Sequence, residues 1–227
     1  MAKIRKQVLG RVSGAVGDVL FRVKNGKGYV GTRPVSFIPG KDDLSIARRK
    51  RFALSVKYAK TVNEIASLKY FWKQFKSPTQ SAYNFIMKSN YHAILPDDVT
   101  GSATMVPDVG FSVNISSSTI TADETKVSID PIGNNSGIDP LVETKIQLAS
   151  VIFFKAPLSE SYALYHFLPL LSPEISLSLT EATQFVIPLS DQQSQIFTQY
   201  STHKAFFAFF TLDYIGKVVH FSNTYQS

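Results

Sequence analysis

Two hydrophobic periods divide this chain. From Asp42 or Asp43 onward, Leu44, Ala47, Phe52, Val56, Ala59, Val62 and Ala66 recur every three to five positions, which predicts one apolar face of an α-helix. The other face carries Arg48, Arg49, Lys50, Arg51, Lys57 and Lys60, and an aspartate stands where an N-cap is needed. Thr61 and Glu64 have capping-box spacing, so the helix is expected to break or restart before Ile65 to Phe75. Ser77-Pro78-Thr79-Gln80 predicts another start, with Ser as cap, Pro in the first helical position and Gln three residues on. That helix should reach about His92 and bury Ala82, Phe85, Ile86 and Met87.

Beyond Pro107 the period becomes two. Phe111, Val113 and Ile115, then Val127 and Ile129, then Ile175, Leu177 and Leu179 alternate with polar residues, as half-buried strands do. Ile146 to Phe154 and Lys204 to Tyr214 are denser and read as central strands, with a hairpin at Asp213 to Lys217 leading into Val218 to Tyr225. About seven strands over about 120 residues predict an antiparallel sandwich of the immunoglobulin or fibronectin type III kind. Asp191 to Tyr200 adds one short helix. Within the densest aromatic cluster, strand alternation puts Phe207 and Phe209 on one side and Phe206 and Phe210 on the other, so both sides must be covered.

Ahead of the helical region, residues 4–35 alternate between apolar runs and turn formers. They read as short strands with a type I′ hairpin at Asn25-Gly26, ended by Pro34 and Ile38-Pro39-Gly40. The fold class that follows is α+β. Residues 1–95 form a basic β-hairpin and helical module, 96–107 a polar linker, and 108–227 the β-sandwich.

Charge sharpens this division. Residues 1–76 hold 18 Lys plus Arg against 4 Asp plus Glu, a net +14, whereas the remainder holds 6 against 13, a net −7. Such opposition fits a basic part that meets a polyanion, and equally basic and acidic faces that join neighbouring subunits. The residues expected to make that contact are Arg5, Lys6, Arg11, Arg22, Lys24, Lys27 and Arg33 around the hairpin, with Arg48, Arg49, Lys50 and Arg51 on the helix. Four adjacent cations on a helix spread over more than one full turn, so at least one stem must lie toward the apolar side.

Candidate chemistry is sparse. Gly26-Lys27-Gly28-Tyr29-Val30-Gly31 spells a nucleotide-type glycine pattern, but no helix start follows it, and a glycine-rich hairpin accounts for it. His92, His166, His203 and His220 are scattered without a carboxylate at ligand spacing, and no serine sits in a nucleophile elbow. The absence of cysteine excludes disulfides, thiolate nucleophiles and sulfur-ligated zinc or iron–sulfur centres. No catalytic, cofactor or metal residue is therefore predicted. Val8-Leu9 is followed by Gly10 and Arg11, which speaks against a secretory signal. The longest apolar run, Ala205 to Phe210 with Leu212, falls short of the roughly 20 residues that span a bilayer, so a cytoplasmic or particle-associated protein is expected.

The opening Met-Ala-Lys-Ile, the Leu9-Gly10 and Ser13-Gly14-x-Val16-Gly17 steps, the basic hairpin ending Arg33-Pro34, the helix with Arg48 and Phe52, and the closing Ser222-Asn223-x-Tyr225 resemble an uncharacterised family of Bacteroidota and related bacteria. The resemblance runs from both ends through most of the chain. It departs after Pro34, where Phe37-Ile38-Pro39-Gly40-Lys41 replaces a more regular Asn-Pro-x-Thr stretch. It implies no activity, cofactor or catalytic residue. The N-terminal pattern is also similar to segments of phage-like proteins, which implies a structural or assembly role with other subunits, as a homo-oligomer or otherwise. A nucleic-acid-associated protein is the alternative that the cations allow.

Overall fold

The computed structural model describes residues 2–3, 12–24, 26–33, 36 and 38–227. Arg5, Lys6 and Arg11 of the expected contact set lie outside these residues. The chain divides into two compact units, Met1–Ile46 and Ala47–Ser227.

The first unit holds an antiparallel sheet of β1 (Ala2–Lys3), β2 (Gly14–Val16), β3 (Val19–Lys24) and β4 (Lys27–Thr32), in the order β1-β4-β3-β2. The hairpin expected at residues 25–26 joins β3 to β4: Lys24 pairs with Lys27, and Gly26 has φ +74°. That left-handed backbone is what a two-residue primed turn demands, and glycine adopts it at no steric cost. Helix α1 (Asp43–Glu64) begins in this unit, capped as expected by the Asp42 carboxylate, which accepts the Ser45 N–H at 2.9 Å.

In the second unit α1 is followed by α2 (Ala66–Phe75) and α3 (Ala82–Asn90). The strands are β5 (Ile115–Ile120), β6 (Glu124–Ile129), β7 (Glu143–Pro157), β8 (Tyr165–Leu171), β9 (Ile175–Ser176) and β10 (Thr183–Pro188), then α4 (Asp191–Phe197), β11 (Tyr200–Asp213), β12 (Val218–Phe221) and β13 (Tyr225–Gln226). Pairing builds one sheet along β12-β11-β7-β8, to which β13 and β9 add short pairings, and a second sheet in the order β10-β6-β5. All strand pairs are antiparallel.

The long β7–β11 pair, in register from Tyr200↔Pro157 to Thr211↔Ile146, is buried on both faces, which is why these segments read as dense apolar runs. On one face Val151, Phe153, Phe206, Ala208 and Phe210 pack with Tyr58, Leu68, Phe71 and Trp72 of the helices. On the other, Leu148, Ile152, Phe207 and Phe209 pack with Val127, Ile129, Phe185 and Ile187 of the three-stranded sheet. The expected division of the four phenylalanines is thus realised, with helices covering one side and a sheet the other. Edge-on ring contacts hold the helix side, with Tyr58 6.1 Å from Phe206 and 6.0 Å from Phe167 between centroids.

Three expectations are corrected. The 96–107 segment is no linker, because Val99, Ala103, Met105 and Val106 are buried in the helix-side core and Trp72 Nε1 donates to the Met105 carbonyl at 2.8 Å. The division falls instead after Ile46, and the remaining helices share a core with the sheets. The third helix starts four residues late: Ser77 closes a turn by accepting the Gln80 N–H, and Ser81 caps Asn84. Thr61 does not cap α2, since its hydroxyl back-bonds to the Lys57 carbonyl and the N-cap is Ile65.

The closing motif is a set of backbone pins. The Ser222 hydroxyl accepts the Phe209 N–H at 2.9 Å, the Asn223 side chain accepts the Gly110 N–H at 3.0 Å, and the Tyr225 hydroxyl accepts the Val113 N–H at 2.6 Å. Among the described residues no helix is long and apolar enough to cross a membrane.

Candidate functional site

Directly paired residues of a sheet share a face, so the register sorts the first unit's side chains into two sets. Val16, Val19, Phe21, Val23 and Val30 share one face with Gly14, Gly28 and Thr32. Leu20, Arg22, Lys24, Lys27 and Tyr29 share the other with Ala15 and Gly31. One face is apolar and the other cationic.

Neither face is closed over by the described residues. Val16 is 67% exposed, Val19 and Val23 each 39%, and among the described residues of this unit only Gly28 is buried. Arg22, Lys24, Lys27 and Arg33 are exposed, and none makes an ion pair among the described residues. Asp18 is the sole carboxylate before Asp42 in the sequence. Lys24 and Lys27 stand directly opposite each other, an arrangement that repels unless an anion lies nearby.

On α1 the cationic run divides. Arg48, Arg49 and Lys50 are exposed. Arg51 is not part of an open surface: it lies one turn before the buried Leu54 and Ser55, and its Nε and Nη2 donate to the Tyr91 carbonyl at 2.9 and 2.7 Å. Its guanidinium carbon also sits 4.5 Å from the centre of the Tyr91 ring. Arg51 is the stem that turns inward, and it leaves the contact set for a structural role.

Two polar constellations in the second unit join residues far apart in sequence. Asp98 receives Lys204 at 2.7 Å and Lys155 at 3.2 Å, two lysines brought together by the β7–β11 pair. Partial burial works to raise the Asp98 pKa, but the hydrogen bonds from Lys204 and Lys155 outweigh it and leave the carboxyl below its ordinary value of 3.8. Glu143, 1% exposed, accepts the Thr211 hydroxyl and the Asp139 N–H, and faces His220 Nδ1 at 3.0 and 3.1 Å. This is the carboxylate–imidazole pair of acid–base sites, with the imidazole half-open to solvent. Thr211 is fully buried; its hydroxyl donates to Glu143 and accepts the backbone N–H of His220. Only the fold brings a carboxylate to His220, since 77 residues separate the two.

No family model matches the chain, and no curated protein matches it.

His166 and His203 flank Phe154 across β8-β7-β11, with Phe197 5.5 Å from the His203 ring. Burial holds both imidazoles below the ordinary histidine value, and the charge of Lys57 adds to the effect at His166. Among the described residues no group of three His, Cys, Asp or Glu side chains is placed to hold a metal ion. The Gly26-to-Gly31 pattern lies along the β3–β4 hairpin and does not open a helix.

Proposed function

We propose that this protein is a non-enzymatic structural or assembly subunit, of a virion-like or filamentous particle, whose basic N-terminal module contacts an acidic surface on a neighbouring subunit. One observation carries the reading. The first unit's sheet is amphipathic yet encloses no side chain among its described residues, so it lacks the burial that stabilises an isolated sheet. A sheet built this way gains its stability from what it docks against. Its cations, opposed by Asp18 alone before Asp42, favour a partner rich in carboxylates.

The second unit supports the same reading as a scaffold. Its two antiparallel sheets, β10-β6-β5 and β12-β11-β7-β8, pack through a shared core and support reading it as a fibronectin type III-like sandwich, with three helices over the outer face of one sheet. The resemblance to the Bacteroidota family and to phage-like segments fits, because the closing motif of that resemblance pins backbone and touches no chemistry. A cytoplasmic or particle-associated location goes with this role, and a membrane is not among its partners.

Light scattering of nuclease-treated protein across a salt series tests the proposal. Oligomers that dissociate as salt rises support it; a monomer at high concentration and low salt overturns it. A second reading, nucleic-acid binding, is favoured by Tyr29, which pairs with Arg22 on the cationic face in the way stacking aromatics interleave with phosphate-binding cations. Affinity for a single-stranded oligonucleotide that falls steeply with salt would select it.

A further inference from the structure

Within the second unit a cleft of about 390 Å³ opens between the first turn of α2 and the β11–β12 hairpin. Residues Ala66, Ser67 and Tyr70 face it from the helix, a spacing of one and four that puts them on one side. Leu171, Leu212 and Val218 supply an apolar wall from the sheet. Tyr70 is 38% exposed and Leu171 42%, so the wall is open to an occupant.

Three observations give that occupant a charge. Ser67 is 8% exposed, yet its hydroxyl has no hydrogen-bond partner among the described residues. The buried Ser and Thr hydroxyls of α1 back-bond to the preceding turn, Ser55 to the Arg51 carbonyl at 2.8 Å and Thr61 to the Lys57 carbonyl at 3.0 Å. Ser67, which lines the cleft, is left unpartnered, and rotation about χ1 can turn its hydroxyl toward the cleft.

The second observation is the helix end itself. Ile65, the N-cap of this ten-residue helix, offers no side-chain acceptor, so the first-turn N–H groups of α2 have no side-chain cap beside Ala66 and Ser67. The third is Lys217, which lines the cleft and has no ion-pair partner among the described residues. Glu174 also lines the cleft, but its charge is met by Lys145 at 2.8 Å. The hairpin lies close over it, since a Cβ on Gly216 would fall 3.2 Å from Glu174 Oε1.

We propose that this cleft binds a small amphipathic carboxylate, its anionic end at the start of α2 with Ser67 and Lys217, its apolar body against Tyr70, Leu171 and Val218. The volume lies in the range of small-molecule sites, and a few convergent polar groups at one end of an apolar wall are the usual form of such sites. A single lysine and one hydroxyl suit a carboxylate better than a phosphate, which calls for more donors. The site is separate from the basic sheet and does not rest on the assembly reading.

Amide chemical-shift titration of the full chain with indole-3-acetate, octanoate and tryptamine tests it. Saturable shifts are expected at Ala66, Ser67, Tyr70, Leu171 and Val218 with the two carboxylates and not with the amine. Lys217→Glu should weaken binding about tenfold or more, and Ser67→Ala by a smaller factor while the melting temperature holds or rises. Equal binding of tryptamine, shifts elsewhere, or an affinity unchanged in Lys217→Glu overturns the proposal. Absence of any shift at millimolar ligand also overturns it.

Discussion

Arg51 clasps Tyr91: the guanidinium gives two hydrogen bonds to the Tyr91 carbonyl and covers the ring of the same residue. The pair ties α1 to the end of α3 across 40 residues. Among the four adjacent cations, Arg51 therefore turns inward to the fold, while Arg48, Arg49 and Lys50 are exposed. Arg51→Ala should destabilise the second unit by about 1–3 kcal/mol, because a charge-assisted donor is lost and a carbonyl left without it. Chemical denaturation checks this. Lys50→Ala, exposed on the same helix, should stay within about 0.5 kcal/mol of the wild type.

Gly110 sits where no side chain fits. A Cβ there would lie 2.0 Å from the Phe221 carbonyl oxygen, and the Phe111 N–H donates to that oxygen at 3.1 Å. Since the obstacle is backbone, it cannot rotate away. Gly110→Ala should cost about 3 kcal/mol and free the closing segment, seen as faster amide exchange at Asn223.

Mild acid should loosen the end of the sheet that carries His166 and His203. Partial burial lowers both imidazole pKa values, with the charge of Lys57 adding at His166, so the folded pKa of each lies below that of the unfolded chain. Their stabilising contribution is complete above the ordinary histidine value of 6.5 and declines as pH falls below it, because the unfolded state takes up protons first. The melting temperature should drop in that window, and His166→Gln with His203→Gln should flatten the drop. An unchanged pH profile in the double variant would refute this assignment.

Asp98 acts in a lower window. Its folded pKa lies below 3.8, so its contribution is present above that value and is lost as pH falls through the folded one. Asp98→Asn should leave Lys155 and Lys204 facing each other without a counter-charge and lower stability at neutral pH. The difference from the wild type should shrink at pH 3, which pH-dependent unfolding measures.

The assembly reading makes its own demand. Arg22→Glu with Lys24→Glu and Lys27→Glu reverses the cationic face while leaving the apolar face intact. Association with an acidic partner should be abolished by that change, and sedimentation velocity at low salt would record it. Undiminished oligomers would move the contact off this face.

Sequence alone determined what depends on near neighbours. The hairpin at residues 25–26, the Asp42 cap, the start of α1 and the alternation of Phe206, Phe207, Phe209 and Phe210 all rest on local backbone chemistry or on the period of a single element. Tertiary structure decided which surface each element meets. Residues 96–107 are small and polar enough to read as a linker, yet they are held in the core by Trp72 and Asn90. Arg51 is indistinguishable from Arg48 along the chain and separates from it only when Tyr91 arrives. Glu143 and His220 meet because β7 and β12 both flank β11, a neighbourhood set by long-range pairing and written in no local pattern.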